Sequence, residues 1–230
     1  MRPRLIALLG GVLLTTAAAA GLSAQDPGVH PVSGRRYAPV MGYQGAPWLE
    51  RNERDDEEAP DIALNVLKIA KGSTVADIGA GSGYITVRLA QRVGPTGHVF
   101  ATDVQPQMLN ILGRRLVAQK IANVTLIEGT FDDPKLPPAA VDLILMVDVY
   151  HELSQPQAML RHLRESLKPG GRLVLLEYRK EDPTVPIKPE HKMSVAEAKM
   201  EVEAEGFILS KVDEALPRQH ILIFVAKPEP

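Results

Sequence analysis

With 230 residues, 45% hydrophobic and 23% charged, the chain is long enough for one or two domains with a full core and too apolar to be disordered overall. A formal net charge of −2, an aromatic content of only 4% and no basic stripe argue against nucleic-acid binding. Cysteine is absent, which excludes disulfides, thiolate metal sites and cysteine nucleophiles together and leaves the redox compartment open.

In chain order, Arg2 and Arg4 precede an apolar run from Leu5 to Leu14 and a small-residue stretch from Thr15 to Ala24. That order predicts a secretory signal peptide over residues 1–24, cleaved after Ala24. The uncharged run from Leu5 to Leu22 is also close to the shortest span of a bilayer, so a retained anchor is the alternative. Either reading predicts export of the remainder, to the periplasm or beyond, with no membrane contact unless the anchor is kept. Residues 25–59 read as an N-terminal arm, irregular and rich in Pro and Gly up to Gly45. Tyr37, Tyr43, Trp48 and Leu49 concentrate large side chains there and are expected to cap the following domain and wall a pocket. The charge run Arg51 to Glu58 is expected to be a solvated helix face or connection.

The domain is predicted over residues 60–230. Ile62, Val66, Leu67 and Ile69 give a helix over Pro60 to Ala70, stopped at Lys71-Gly72. Val75 to Ile78 reads as a buried strand that runs into the glycine turn Gly79-Ala80-Gly81-Ser82-Gly83 and then a helix ending at Val93. Gly94-Pro95-Thr96-Gly97 releases a second strand, His98 to Thr102, ending on Asp103. Pro106 opens a helix with Met108, Leu109, Leu112, Leu116 and Val117 on one side, and Asn123 to Ile127 is the third strand. Phe131 to Ala140 is a loop. Val141 to Val147, apolar except for Asp142, fits a central parallel strand ending at Asp148. A helix over Pro156 to Leu167 stops at Lys168-Pro169-Gly170-Gly171, and Arg172 to Tyr178 is the next strand. Arg179 to His191 carries three prolines and reads as a long, functional loop. A helix over Ser194 to Glu205 and a hairpin of Phe207 to Val212 with Ile221 to Ala226 close the chain. Alternating strands and helices with a final strand pair predict a doubly wound, mainly parallel α/β sheet with an antiparallel edge.

Asp77-x-Gly79-x-Gly81-x-Gly83, Asp103 after the second strand, the strand ending at Asp148, and Leu167-Lys168-Pro169-Gly170-Gly171-Arg172-Leu173 together resemble the class I S-adenosylmethionine-dependent methyltransferases. A dinucleotide fingerprint would need its third glycine at position 84, which is Tyr84. The resemblance implies a Rossmann-like, seven-stranded sheet of order 3-2-1-4-5-7-6 with the last strand antiparallel. It implies S-adenosylmethionine as cofactor, held by Asp77, Gly79, Ala80, Gly81, Gly83, Asp103 and Val104. Asp77 would hold the methionine ammonium and Asp103 the ribose hydroxyls, a task suited to a carboxylate's two oxygens. The family's acidic adenine contact directly behind a glycine is missing after Gly129, and Asp132 is the substitute.

Asp148-Val149-Tyr150-His151-Glu152 falls where the family's fourth motif faces the departing methyl. Methyl transfer is an in-line displacement that mainly demands alignment, with a base needed only for a nucleophile of high pKa. His151 and Asp148 are the candidate bases, and Tyr150 is expected to present its face to the sulfonium. His151 and His191 lack local ligand spacing, so no metal is expected. The implied acceptor is a small molecule. The other class of reading is an exported, non-enzymatic binding protein that keeps the fold and uses its crevice for another ligand.

Overall fold

The computed structural model describes residues 28–228, so the expected leader lies outside the described residues. Seven strands, β1 (Thr74–Ile78), β2 (His98–Asp103), β3 (Val124–Glu128), β4 (Val141–Val147), β5 (Leu167–Tyr178), β6 (Phe207–Asp213) and β7 (Gln219–Ala226), form one sheet. Its order is β3-β2-β1-β4-β5-β7-β6, and β7 runs antiparallel to both β5 and β6 while the remaining pairs are parallel. This is the expected topology, and its cause is visible in β4. Ile144 and Met146 enter one core and Leu143 and Leu145 the other, so a continuous apolar run is what a strand covered on both faces requires. The run's one polar residue, Asp142, accepts the backbone N–H of Thr74 and the Lys168 ammonium, both at 2.8 Å.

The helices are α1 (Ala46–Leu49), α2 (Arg54–Glu58), α3 (Pro60–Leu67), α4 (Tyr84–Val93), α5 (Pro106–Ala118), α6 (Pro156–Ser166) and α7 (Val195–Ala204). Proline at the first turn of α3, α5 and α6 costs no hydrogen bond, because the N–H it lacks has no partner there. A capping box between Ser194 and Glu197 starts α7. On one face Met159, Leu160 and Leu163 of α6 and Ala198 and Val202 of α7 cover the sheet. On the other, Leu64 and Leu67 of α3 and Ile85 and Leu89 of α4 do so. Each such side chain, taken fully out of water, stabilises the fold by about 1.5–3 kcal/mol.

Three local expectations change. Helix α3 stops at Leu67 instead of Ala70, because Lys68 turns left-handed at φ 48°. Strand β5 begins at Leu167, where a residue pairs with Val141 before the Lys168–Gly171 turn, and the register slips between Val141 and Leu143 to absorb it. The charge run is only partly solvated: Glu53, Asp55 and Asp56 are exposed, but Arg54 and Glu58 are buried on α2, joined Nε to Oε2 at 2.8 Å. The arm is tied down by Arg35, itself buried, whose guanidinium clamps the Glu201 carboxylate of α7 at 3.0 and 2.9 Å. Arg35 Nη1 and the Ala38 N–H both donate to the His151 carbonyl, at 3.0 Å each, so the arm also braces the loop after β4.

Candidate functional site

Strands β1 and β4 lie side by side with their connections leaving in opposite directions, and a crevice opens beyond their carboxyl ends at this switch point. It holds a cavity of about 600 Å³, within the range of about 300–1,000 Å³ usual for small-molecule sites. One wall is backbone. Gly79 sits at φ 69°, and a Cβ there would lie 2.5 Å from Val149 Cγ2, so only glycine lets this turn close on the loop after β4. The Gly81 N–H donates to Asp103 Oδ2 at 2.9 Å and the Gln105 N–H to Oδ1 at 2.8 Å. Burial raises the Asp103 pKa, and these backbone donors pull it back towards the ordinary carboxylate range.

Of the candidate residues, Gly79, Gly81, Asp103, Val104, Asp148 and His151 line the cavity, and five others do not. Ala80 and Gly83 lie behind the loop, where a Cβ on Gly83 would meet Leu112 Cδ1 at 2.1 Å, so that glycine admits α5 against α4. Asp77 is buried with Oδ2 accepting the Thr86 hydroxyl at 2.6 Å, and burial pushes its pKa up to about 7. Asp132 accepts the Thr130 hydroxyl at 2.6 Å in a surface turn, leaving Gly129, Thr130, Phe131 and Pro134 to meet the cavity. Tyr150 is turned the opposite way from the expectation, fully buried in the core beneath Arg35. The Tyr150–Glu152 segment is a 3-10 turn, and its tight winding sends Tyr150 inward while His151 and Glu152 face the crevice.

The opposite wall is made of side chains from distant parts of the chain. Glu177, at the end of β5 and fully buried, accepts the Tyr150 N–H at 2.9 Å through Oε1 and meets His151 Nδ1 at 2.6 Å through Oε2. A carboxylate only accepts, so in the neutral ring this bond places the proton on Nδ1 and leaves the lone pair on His151 Nε2. That atom lies 3.1 Å from His191 Nδ1. Asp148, at φ 55°, is held by Gln219 Nε2 at 2.9 and 2.8 Å, and burial beside Glu58 and Glu177 raises its pKa well above the usual carboxylate range. The Tyr178 hydroxyl donates to Glu58 Oε1 at 2.9 Å. Met41, Trp48 and Leu49 of the arm, with Phe131, Pro186 and Ile187, supply the apolar lining. The sequence reading gave no role to Glu177, Arg54 or Glu152. Glu177 carried the same signal as Asp77, Asp103 and Asp148, an acid at the carboxyl end of an apolar strand.

A methyltransferase-domain family matches residues 75–171. The chain is 27% identical to a SAM-dependent methyltransferase from Aquifex aeolicus of known crystal structure, with a TM-score of 0.76 over 80% of this chain and 98% of that one. A TehB-like SAM-dependent methyltransferase from Corynebacterium glutamicum shares the fold at 15% identity, with a TM-score of 0.60 over 80% of this chain and 98% of the other. A ubiquinone/menaquinone biosynthesis C-methyltransferase, UbiE, of Ectopseudomonas mendocina is 32% identical over 120 residues, 52% of this chain and 47% of that protein. The chain thus spans about half the length of the curated relatives it matches. With the sheet order, the glycine turn and Asp103 at the crevice, these similarities support a place for the chain in the class I S-adenosylmethionine-dependent methyltransferase family.

Proposed function

We propose that this protein transfers a methyl group from S-adenosylmethionine to a small-molecule acceptor. The observation that carries the reading is the Asp103 carboxylate, fixed by two backbone N–H groups at the rim of a glycine turn that only a Cβ-free chain can adopt, in a cavity large enough for a small ligand. Asp103 would receive the ribose hydroxyls and Gly79 and Gly81 would pass beneath the cofactor. The leaving group is a neutral thioether, so the protein's main task is to hold the acceptor in line with the methyl carbon. The mostly apolar lining favours an acceptor with an apolar body, and the wall of His151 and Glu152 favours one oxygen function on it. Similarity to the named C-methyltransferases makes carbon the favoured accepting atom. The non-enzymatic alternative has no support among the relatives.

Calorimetry of the protein with S-adenosylmethionine tests the reading: micromolar binding is expected, and no binding below about 1 mM overturns it. Export rests on residues 1–24 alone, and a phosphatase fusion after residue 60 is expected to be active outside the cytoplasm.

A further inference from the structure

We propose that His151, Glu152 and His191 form a binding site for a divalent d-block cation in the acceptor wall of the cavity. One ligand atom from each of the three lies within 4.8 Å of the other two. His151 Nε2 to His191 Nδ1 is 3.1 Å and His191 Nδ1 to Glu152 Oε1 is 3.9 Å. Donors on a tetrahedral zinc at about 2.0–2.1 Å stand roughly 3.4 Å apart, so side-chain adjustments of up to about 1.4 Å bring the set, now within 4.8 Å, onto one ion. The spacing of the two imidazoles also suits a hydrogen bond, so it is the further features that point to an ion.

The first is the buried Glu177 behind His151. Ligating histidines characteristically give their other N–H to a carboxylate, which fixes the tautomer and aims the free nitrogen. The bond between His151 Nδ1 and Glu177 Oε2 does this, and Glu177 is itself anchored by the Tyr150 N–H. The second is placement. His151, Glu152 and His191 all line the cavity, which leaves the remaining coordination positions open towards the ligand, as in sites where two histidines and one carboxylate hold a catalytic ion. The third is the support of His191, which arrives on a 3-10 turn (Pro189–His191) of a loop closed by the Arg179–Met193 bridge. Two imidazoles and one carboxylate favour zinc, cobalt, iron or manganese over magnesium and calcium.

The role of the ion rests on the methyltransferase reading and deepens it: it selects acceptors with an ionisable hydroxyl, phenolic or enolic. Bound to the ion, the hydroxyl loses its proton to water, and the oxygen's electron pair is shared with the adjacent conjugated carbon. That carbon bonds to the methyl, the methyl–sulfur bond breaks with both electrons to sulfur, and the carbon's own hydrogen leaves as a proton to restore the conjugated enolate. The enolate is reprotonated on release, so one proton is set free per methyl transferred.

The test titrates untagged, full-length protein with Co²⁺, read by visible absorption, and with Zn²⁺, read by calorimetry. One equivalent is expected to bind at micromolar or tighter Kd, with His191→Ala and Glu152→Gln each weakening it at least tenfold. Glu177→Gln is expected to weaken it by about tenfold or more. Binding of neither ion below about 1 mM, or unchanged binding in His191→Ala and Glu152→Gln, overturns the site. Should the variants fail to fold, the wild-type stoichiometry and the nitrogen-ligand signature of the Co²⁺ spectrum decide. S-adenosylmethionine calorimetry on the same samples separates the two readings: intact Co²⁺ binding without cofactor binding sinks the methyltransferase reading and leaves the ion site standing, and the converse sinks only the ion site.

Discussion

The two walls of the cavity are built on different principles. The cofactor wall comes from two neighbouring strand ends, Gly79 and Gly81 after β1 and Thr102 to Gln105 at the end of β2, shaped by a glycine turn and one carboxylate that two N–H groups hold. The acceptor wall is side chains drawn from residues 39–54, 129–134, 148–159, 178 and 186–191, joined through buried polar groups. The first is suited to a ligand common to a whole family. The second can change its specificity one side chain at a time, which is why functional variety concentrates on such segments of a shared fold.

Changes that keep the two walls separable sharpen this contrast. The largest expected effect is on stability behind the cofactor wall. The folded Asp77 pKa is raised to about 7, above an unfolded value near about 3.9, so the native state favours the protonated acid. Native stability therefore falls as pH rises from about 4 to about 7 and stays reduced above it. Asp77→Asn is expected to be progressively more stable than wild type over that range, by up to about 4 kcal/mol at pH 8; denaturant unfolding of the ligand-free protein at pH 4 and pH 8 checks it, and equal differences at the two pH values refute it. Next, Asp103→Ala should weaken S-adenosylmethionine by about 30–100-fold through loss of charge-assisted hydrogen bonds, with Co²⁺ affinity unchanged. A variant that lost both ligands together would break the contrast.

Gly83→Ala comes third. The new Cβ meets Leu112 at a left-handed residue, so a loss of about 2–3 kcal/mol in unfolding free energy is expected. Glu177→Gln frees the His151 ring, and methyl transfer should fall about 10–100-fold while cofactor Kd stays within about twofold. The smallest effect is at the apolar lining. Trp48 is 45% exposed, so Trp48→Ala should raise acceptor KM about threefold to fivefold and leave kcat unchanged.

The cofactor wall was legible because its information is local. Three glycines at alternate positions and acids at strand ends are properties of a few neighbouring residues, and Gly79, Gly81, Asp103 and Val104 all reach the cavity. Even there, spacing did not say which way a side chain points. Asp77 and Gly83 belong to the turn but serve Thr86 and Leu112, and Asp132 satisfies its own loop. At Tyr150 a 3-10 turn reversed the expected direction. The acceptor wall was less legible still. Arg54 and Glu58 look like solvent charges until Tyr178 and the cavity enclose them, and His151 and His191 are forty residues apart until the β5 loop folds back.

What the amino-acid sequence determined by itself was the sheet, its helices and the glycine turn, because hydrophobic period, proline starts and glycine stops act over a few residues. The family resemblance added the strand order. Only the tertiary structure decided that a buried glutamate at the end of β5 aims His151 at Glu152 and His191, because burial and the meeting of remote side chains depend on how all seven strands pack.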